Sequence, residues 1–458
     1  MAEKKIRTPD DIESFDPAAA HEALQEGSVL KHVSSTHDAV FGEVTEGGPN
    51  YRSVGWLGTV ALMLKTQIGL GVLSIPAVFD TLGLVPGAII LCVVAGIATW
   101  TSYVVGVFKL NHREVYGMDD ATDCDQDWIF VAGSGILGVS IGLNAVSSHG
   151  ACTAIFVVVA AIAGFFLASI RTLGKISWLA WLGLACILVA VLLVTISVGI
   201  QDRPSLAPQV GPWTSDYRVT NSPSFTDGVS AVSSLIFACS ATPAYFQLAA
   251  EMRDPRFFTR ALVVSQTCST VLYLVVGIVV YYYCGSYVSS PALGSAGPLI
   301  KKIAYGIALP GLLASTTIVL HLPSKYIFVR LLRGSRHLTS NSVVHWCTWL
   351  ACTLGASIIA YLIASGIPFF NDLVSLIGAL LGTFLAYQPT GCMWFYDNWH
   401  SRSRSGRWML LATWSGLIIV VGCFMTVAGT YGSIVSIIDS LRADGGTKPW
   451  TCADNSNS

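Results

Sequence analysis

Two short stretches place polar and backbone chemistry where an apolar chain tolerates it least. Residues 62–76 read LMLKTQIGLGVLSIP and lie inside an apolar run of roughly 56–80. That run carries Lys65 and a Gly-Leu-Gly interruption at 69–71. A charge at bilayer depth is costly unless it faces protein or water. Two glycines one residue apart loosen a helix where its backbone groups have no other partners. The second stretch is Cys239-Ser240-Ala241-Thr242-Pro243. Pro243 lacks an N–H and clashes with the carbonyl four residues back, so a helix there breaks near 239–242. A broken helix offers free N–H groups on one half and free carbonyls on the other. N–H groups after 69–71 suit a carboxylate. Carbonyls at 237–240 suit an ammonium. An α-amino acid carries both groups on one carbon.

The elements that hold these breaks follow from composition. The chain of 458 residues is 53% hydrophobic and 12% charged, about half the charge of a soluble domain. Its net charge of −1 speaks against a nucleic-acid partner. An acidic, polar stretch over residues 1–50 reads as a disordered cytoplasmic tail, with a short helix near 17–25. Eleven apolar segments follow, at 56–80, 83–108, 128–149, 151–170, 176–200, 224–250, 260–284, 298–322, 343–366, 370–392 and 408–438, each near the ~20 residues that span a bilayer. They form one domain over 51–440, with a short extracytoplasmic tail at 441–458. The first apolar run begins past residue 54, so no cleavable signal peptide is expected. With the N-terminus inside, cytoplasmic loops hold fifteen Lys and Arg against six outside, which is the bias of membrane topology. The twelve cysteines contain no CxxC pair and sit mostly in apolar segments. Neither a zinc site nor a disulfide framework is expected, and the cysteines read as small packing residues.

The first and sixth segments hold the same place in two consecutive groups of five, and an odd offset makes the groups opposite in topology. Paired interruptions of this kind point to a transporter's midplane site. KTQIGLGVLSIP, SATPAYFQLAAEMRDP and the RTLGKISWLAW run before the fifth segment together resemble the amino acid/auxin permease family, in particular its fungal neutral amino acid permeases. The likeness covers roughly 50–440 and keeps the spacing of Lys65, the two glycines and Pro76. It implies an all-α membrane fold of eleven helices, the five-plus-five inverted repeat of the leucine-transporter type. It also implies secondary active uptake, driven by protons in most fungal members.

From the breaks, Thr66, Gly69, Leu70, Gly71, Ser240, Ala241 and Thr242 are the candidate substrate-binding residues. Phe237 is the expected apolar wall, with Tyr245 and Phe246 flanking the second break. Ser140 and Asn144 lie one turn apart on one face of the third segment. They either face the cavity or join helices. Lys65 lies about nine residues into its helix, roughly 14 Å. It either snorkels to the cytoplasmic interface or acts as a gating charge, with Glu251 as its expected partner. By resemblance, Ser315, Thr316 and Thr317 approach the first break where other members of the fold hold sodium. These hydroxyls otherwise bond their own helix. With Lys65 the only charge near either break, the expected cargo is a neutral amino acid, moved with a proton or sodium, and no cofactor is expected.

Gly133-Ser-Gly135-Ile-Leu-Gly138 matches a dinucleotide fingerprint but sits in a spanning run with no preceding strand. It reads as close helix packing, as does Gly378-x-x-x-Gly382. His149, His321 and His345 read as interfacial or packing residues. No hydrolase or nucleotide-binding motif appears, so an enzyme is disfavoured. A sodium-coupled transporter and a non-transporting amino acid sensor on the same fold remain as alternatives. The sensor is disfavoured by tails of about 50 and 20 residues. The plasma membrane is favoured over the vacuole.

Overall fold

The computed structural model describes residues 37–38, 42–43, 53–112, 128–204, 206–335, 337–338, 340–399, 405–443, 450 and 452–456. The expected disordered stretch at 1–50 lies outside these, apart from a short antiparallel pairing of His37–Asp38 with Gly42–Glu43. The expected helix near 17–25 lies outside them too.

The first apolar run forms two helices, α1 (Trp56–Ile68) and α2 (Gly71–Leu82), bent by 42° at the break. After α3 (Leu84–Asn111) come α4 (Trp128–Ser147), α5 (Thr153–Ala168) and α6 (Leu173–Ile200). The sixth apolar run is again split, into α7 (Phe225–Cys239) and α8 (Thr242–Glu251), with Pro243 in the first turn of α8. Proline is tolerated at that position because its missing N–H would have no intrahelical partner anyway. Next are α9 (Phe258–Cys284), the 35-residue α10 (Pro298–Leu332) and α11 (Val343–Gly366). The tenth run is α12 (Phe370–Ile377), a π turn at Gly378–Gly382, α13 (Thr383–Ala386) and α14 (Gln388–Asn398). The 38-residue α15 (Gly406–Ala443) follows.

Among the described residues nine helical runs are long and apolar enough to cross a membrane; α1–α2 is a bent pair and α5 a shorter apolar helix. Large apolar side chains face outward around the bundle, such as Phe166, Ile200, Leu410 and Val427. That surface suits lipid and not water. In lipid, helices associate through close packing and hydrogen bonds rather than burial from water. Small residues supply the contact here. On α4, a Cβ at Gly135 would stand 2.8 Å from Thr316 Oγ1 on α10, and one at Gly133 would stand 2.6 Å from Ile363 on α11. The glycine series is thus a packing surface, as its setting implied.

Two expectations are corrected. Cys152 and Cys452 form a disulfide across 300 residues; the partners are far apart in sequence, so no spacing motif announces them. The eighth run also continues ten residues beyond 322, and this buries His321 and Lys325 inside the protein.

Candidate functional site

The two breaks meet. A Cβ at Gly71 would stand 2.8 Å from Ala238 Cα and 3.0 Å from the Tyr273 hydroxyl. Gln67, in the last turn of α1, donates from Nε2 to the Cys239 carbonyl at 3.0 Å. The Tyr273 hydroxyl of α9 donates to the Ala238 carbonyl at 3.0 Å. Two carbonyls freed by the second break are therefore bonded by side chains; the Cys239 carbonyl also accepts the Ala241 N–H at 3.3 Å, which leaves the Ala238 carbonyl with a second lone pair. Among the described residues no side chain caps the start of α2, so that the positive end of the helix is presented at the junction without a side-chain acceptor.

Beside the junction is a cavity of about 40 Å³, lined by Thr66, Trp128, Val131, Phe237, Ser240, Ala241, Pro243, Ile377, Leu381, Gly382 and Leu385. Four expected residues meet there: Thr66, Phe237, Ser240 and Ala241. The space is small beside the roughly 300–1,000 Å³ of ordinary ligand pockets. Admitting an amino acid requires the helices to part. Trp128, Ile377, Leu381 and Leu385 escaped sequence reasoning because apolar residues that line a cavity look like those facing lipid. The Gly378 and Gly382 pair was a usable signal. Gly378 presses on the Ser233 carbonyl of α7, and Gly382 faces Ile236 and Ser240, which brings the π turn onto the second break.

Other expected residues are placed elsewhere. Thr242 bonds Thr101 and Ser102 of α3, at 3.2 and 3.1 Å. Tyr245 is fully buried with its ring against Phe258. It lies two residues, about 200°, round the helix from Pro243 at the cavity. Leu70 packs on Gly138 of α4, and a Cβ there would stand 3.2 Å from Leu70 Cδ2. Ser140 is again about 200° round from Gly138, and it and Asn144 face away from the breaks. Ser140 Oγ accepts from Asn455 Nδ2 at 3.3 Å, and Asn144 Nδ2 donates to Asn455 Oδ1 at 2.7 Å. Of their two open roles, the structure supports joining segments rather than lining the cavity.

Gly69 lies against Ser315, whose side chain a Cβ at 69 would overlap. Ser315 Oγ is buried without a hydrogen-bond partner among the described residues, whereas Thr316 and Thr317 bond back to Leu312 and Leu313. Lys65 is fully buried. Its Cε lies 3.0 Å from where a Cβ at Gly183 of α6 would stand, and Ala314 of α10 borders the same point. Its Nζ has no hydrogen-bond partner among the described residues. Snorkelling to an interface is therefore not what the structure shows.

Glu251 does not pair with Lys65. It accepts from Lys325 Nζ at 2.5 Å, with the two side chains 0% and 1% exposed. Val54, ahead of α1, lies parallel to Met252: its N–H donates to the Glu251 carbonyl at 3.3 Å, and Arg253 N–H donates to the Val54 carbonyl at 2.9 Å. The start of α1, the end of α8 and α10 are thus tied together at this end. The other end is open and polar. A cavity of about 360 Å³ there is lined by Asp80, Asp216, Arg218, Asn221, Asp227 and Tyr281, among others.

The sequence model of the family described as transmembrane amino acid transporter protein matches residues 52–117 and 128–435. A "transmembrane transporter" of Gibberella moniliformis is 32% identical over 423 residues, which is 89% of each chain. The "N amino acid transport system protein" of Neurospora crassa is 30% identical over 428 residues, 90% of this chain and 91% of that protein. Among solved structures, MhsT in complex with L-phenylalanine has a TM-score of 0.50 at 13% identity, covering 84% of this chain and 98% of that one. A Na⁺-coupled sialic acid symporter has a TM-score of 0.51 at 13% identity, covering 84% and 91%. The last two share the leucine-transporter fold, and the likeness to them is one of fold alone.

Proposed function

The chain belongs to the transmembrane amino acid transporter family, and from that premise we propose that it is a proton-coupled symporter importing neutral amino acids. It is a transporter and not an enzyme. The observation that carries the finer reading is the junction of the two breaks beside an apolar cavity. The open helix start at Gly71 receives the carboxylate. The remaining lone pair of the Ala238 carbonyl receives the ammonium. Phe237, Ile377, Leu381 and Leu385 receive an uncharged side chain. The L-phenylalanine complex of MhsT agrees with an uncharged amino acid as cargo, and the Neurospora relative's name agrees with amino acids as the class.

Eleven spans are the reading that nine long runs, one bent pair and one short helix support. The two breaks lie five spans apart, as a five-plus-five inverted repeat requires. Disulfides persist in oxidising compartments, so the end bearing Cys152–Cys452 is taken as non-cytoplasmic. The opposite end gathers Arg253, Arg256, Arg260, Arg330 and Arg333, which agrees with a cytoplasmic N-terminus. The plasma membrane is the proposed location.

Lys65 is the proposed coupling group. Its side chain lies in the seam of α1, α6 and α10, where Gly183 and Ala314 border it, and its ammonium repels any sodium ion placed there. A buried ammonium without an acceptor is expensive. If that cost differs between two arrangements of α1, protonation and conformation are linked. One proton per substrate across one pH unit supports up to about tenfold accumulation, since one unit is 1.36 kcal/mol. Lys65→Ala is expected to lower this ratio to about 1 while downhill exchange of labelled substrate persists. Accumulation at the wild-type ratio in this variant would remove Lys65 from the coupling step.

A further inference from the structure

Residues 450 and 452–456 are built into the bundle. Asn455 is 3% and Ser456 6% exposed. Asn455 sits between Asn144 and Ser140 of α4, accepting from the first at 2.7 Å and donating to the second at 3.3 Å. The Ala453 carbonyl accepts from Thr153 of α5 at 2.6 Å, and Asn144 also donates to that hydroxyl at 2.8 Å. Trp450 N–H donates to the Ser365 carbonyl of α11 at 3.2 Å. Lys301 of α10 donates to the Ser456 carbonyl. Cys452 closes the arrangement by its disulfide to Cys152, one residue before α5. Four helices thus share one short segment in the seam lined by Leu137, Val157 and Ala364.

That seam lies behind α4. Ser140 and Asn144 occupy the rear face, while Gly138 on the front face seats Leu70, the residue at the centre of the first break. A buried Asn in a spanning helix needs partners, and here another segment of the chain supplies them. We propose that Asn455 is a positioning residue for transport: fastened by Cys152–Cys452, it fixes α4 from behind so that Gly138 holds Leu70 and the break in binding geometry. This inference rests on the transport reading for its activity readout only.

The test uses the folded, oxidised transporter in proteoliposomes. Tris(2-carboxyethyl)phosphine added outside breaks the S–S bond; the phosphine loses two electrons and takes its oxide oxygen from water, and each sulfur gains a proton. Alkylation then counts the Cys152 and Cys452 thiols. The reduced protein, and Asn455→Ala with its disulfide intact, should each show a rise of about fivefold in KM with kcat little changed. Fivefold is what one net hydrogen bond corresponds to, a conservative share of the two that Asn455 makes with α4. Amide exchange over residues 137–147 should quicken in both without substrate. Unchanged KM and unchanged exchange, with both thiols alkylated, would overturn the proposal. Faster exchange with unchanged KM would overturn the positioning role and leave a purely structural strap. If no form takes up any amino acid, the transport reading fails instead, and the exchange result alone decides whether Asn455 fixes α4.

Discussion

Gly71→Val is expected to lose uptake while the protein still inserts and folds. A Cβ at 71 would stand 2.8 Å from the Ala238 Cα, which is backbone and cannot swing aside. Valine adds two further methyls at the point where the two broken helices touch. Overpacking of this kind costs about 1–3 kcal/mol; taken from substrate binding, that is about 5- to 150-fold in apparent affinity. Gly69→Val is expected to behave alike, because its Cβ would overlap the Ser315 side chain. Gly96→Val is the control. It lies on α3 with nothing within 4 Å of the added Cβ and should transport normally. Initial-rate uptake against substrate concentration, beside a folding check by size-exclusion profile, reads all three. Normal uptake by both Gly69→Val and Gly71→Val would remove the junction of the breaks as the binding site.

Breaking the Glu251–Lys325 pair is expected to have the second large effect. Both side chains are buried, and removing one partner of a buried pair costs about 3–5 kcal/mol because a charge is left behind. The pair joins α8 to α10 at the end where Val54 bonds the backbone of 251–253. The remaining charge is best relieved by water, so Glu251→Gln and Lys325→Met should each favour an arrangement open at this end. Amide exchange of residues 54–60 should rise at least tenfold, and the steady uptake rate should fall by a similar factor, a conservative share of that cost. The double exchange Glu251→Lys with Lys325→Glu should recover part of both. Singles that match wild type in exchange and uptake would exclude this pair as a closure of the cytoplasmic end.

The breaks were legible because their cause is local. Gly69, Gly71 and Pro243 act on their own helices, and a charge at membrane depth stands out against an apolar background. The partners of the buried charges were less accessible. Glu251 was assigned to Lys65 as the charge at the cytoplasmic end of the sixth segment, whereas α10 brings Lys325 to it. That lysine was counted as a cytoplasmic loop charge because the eighth run was ended at 322, before its last three turns. Ser140 and Asn144 were correctly joined on one face, but sequence periodicity cannot say which neighbour a face meets. Their partner, Asn455, lies more than 300 residues away. The disulfide was invisible for the same reason. The lining residues of α12 to α13 were hidden because an apolar cavity wall and a lipid-facing wall have the same composition.

The most direct measurement is uptake of labelled phenylalanine or leucine by the purified protein in liposomes, with an inward proton gradient and no sodium. The account predicts accumulation above the outside concentration that collapses when a protonophore is added. Accumulation that instead requires a sodium gradient, or binding without uptake under either gradient, would contradict it. The first outcome would point to a sodium-coupled transporter and the second to a membrane sensor built on the same fold.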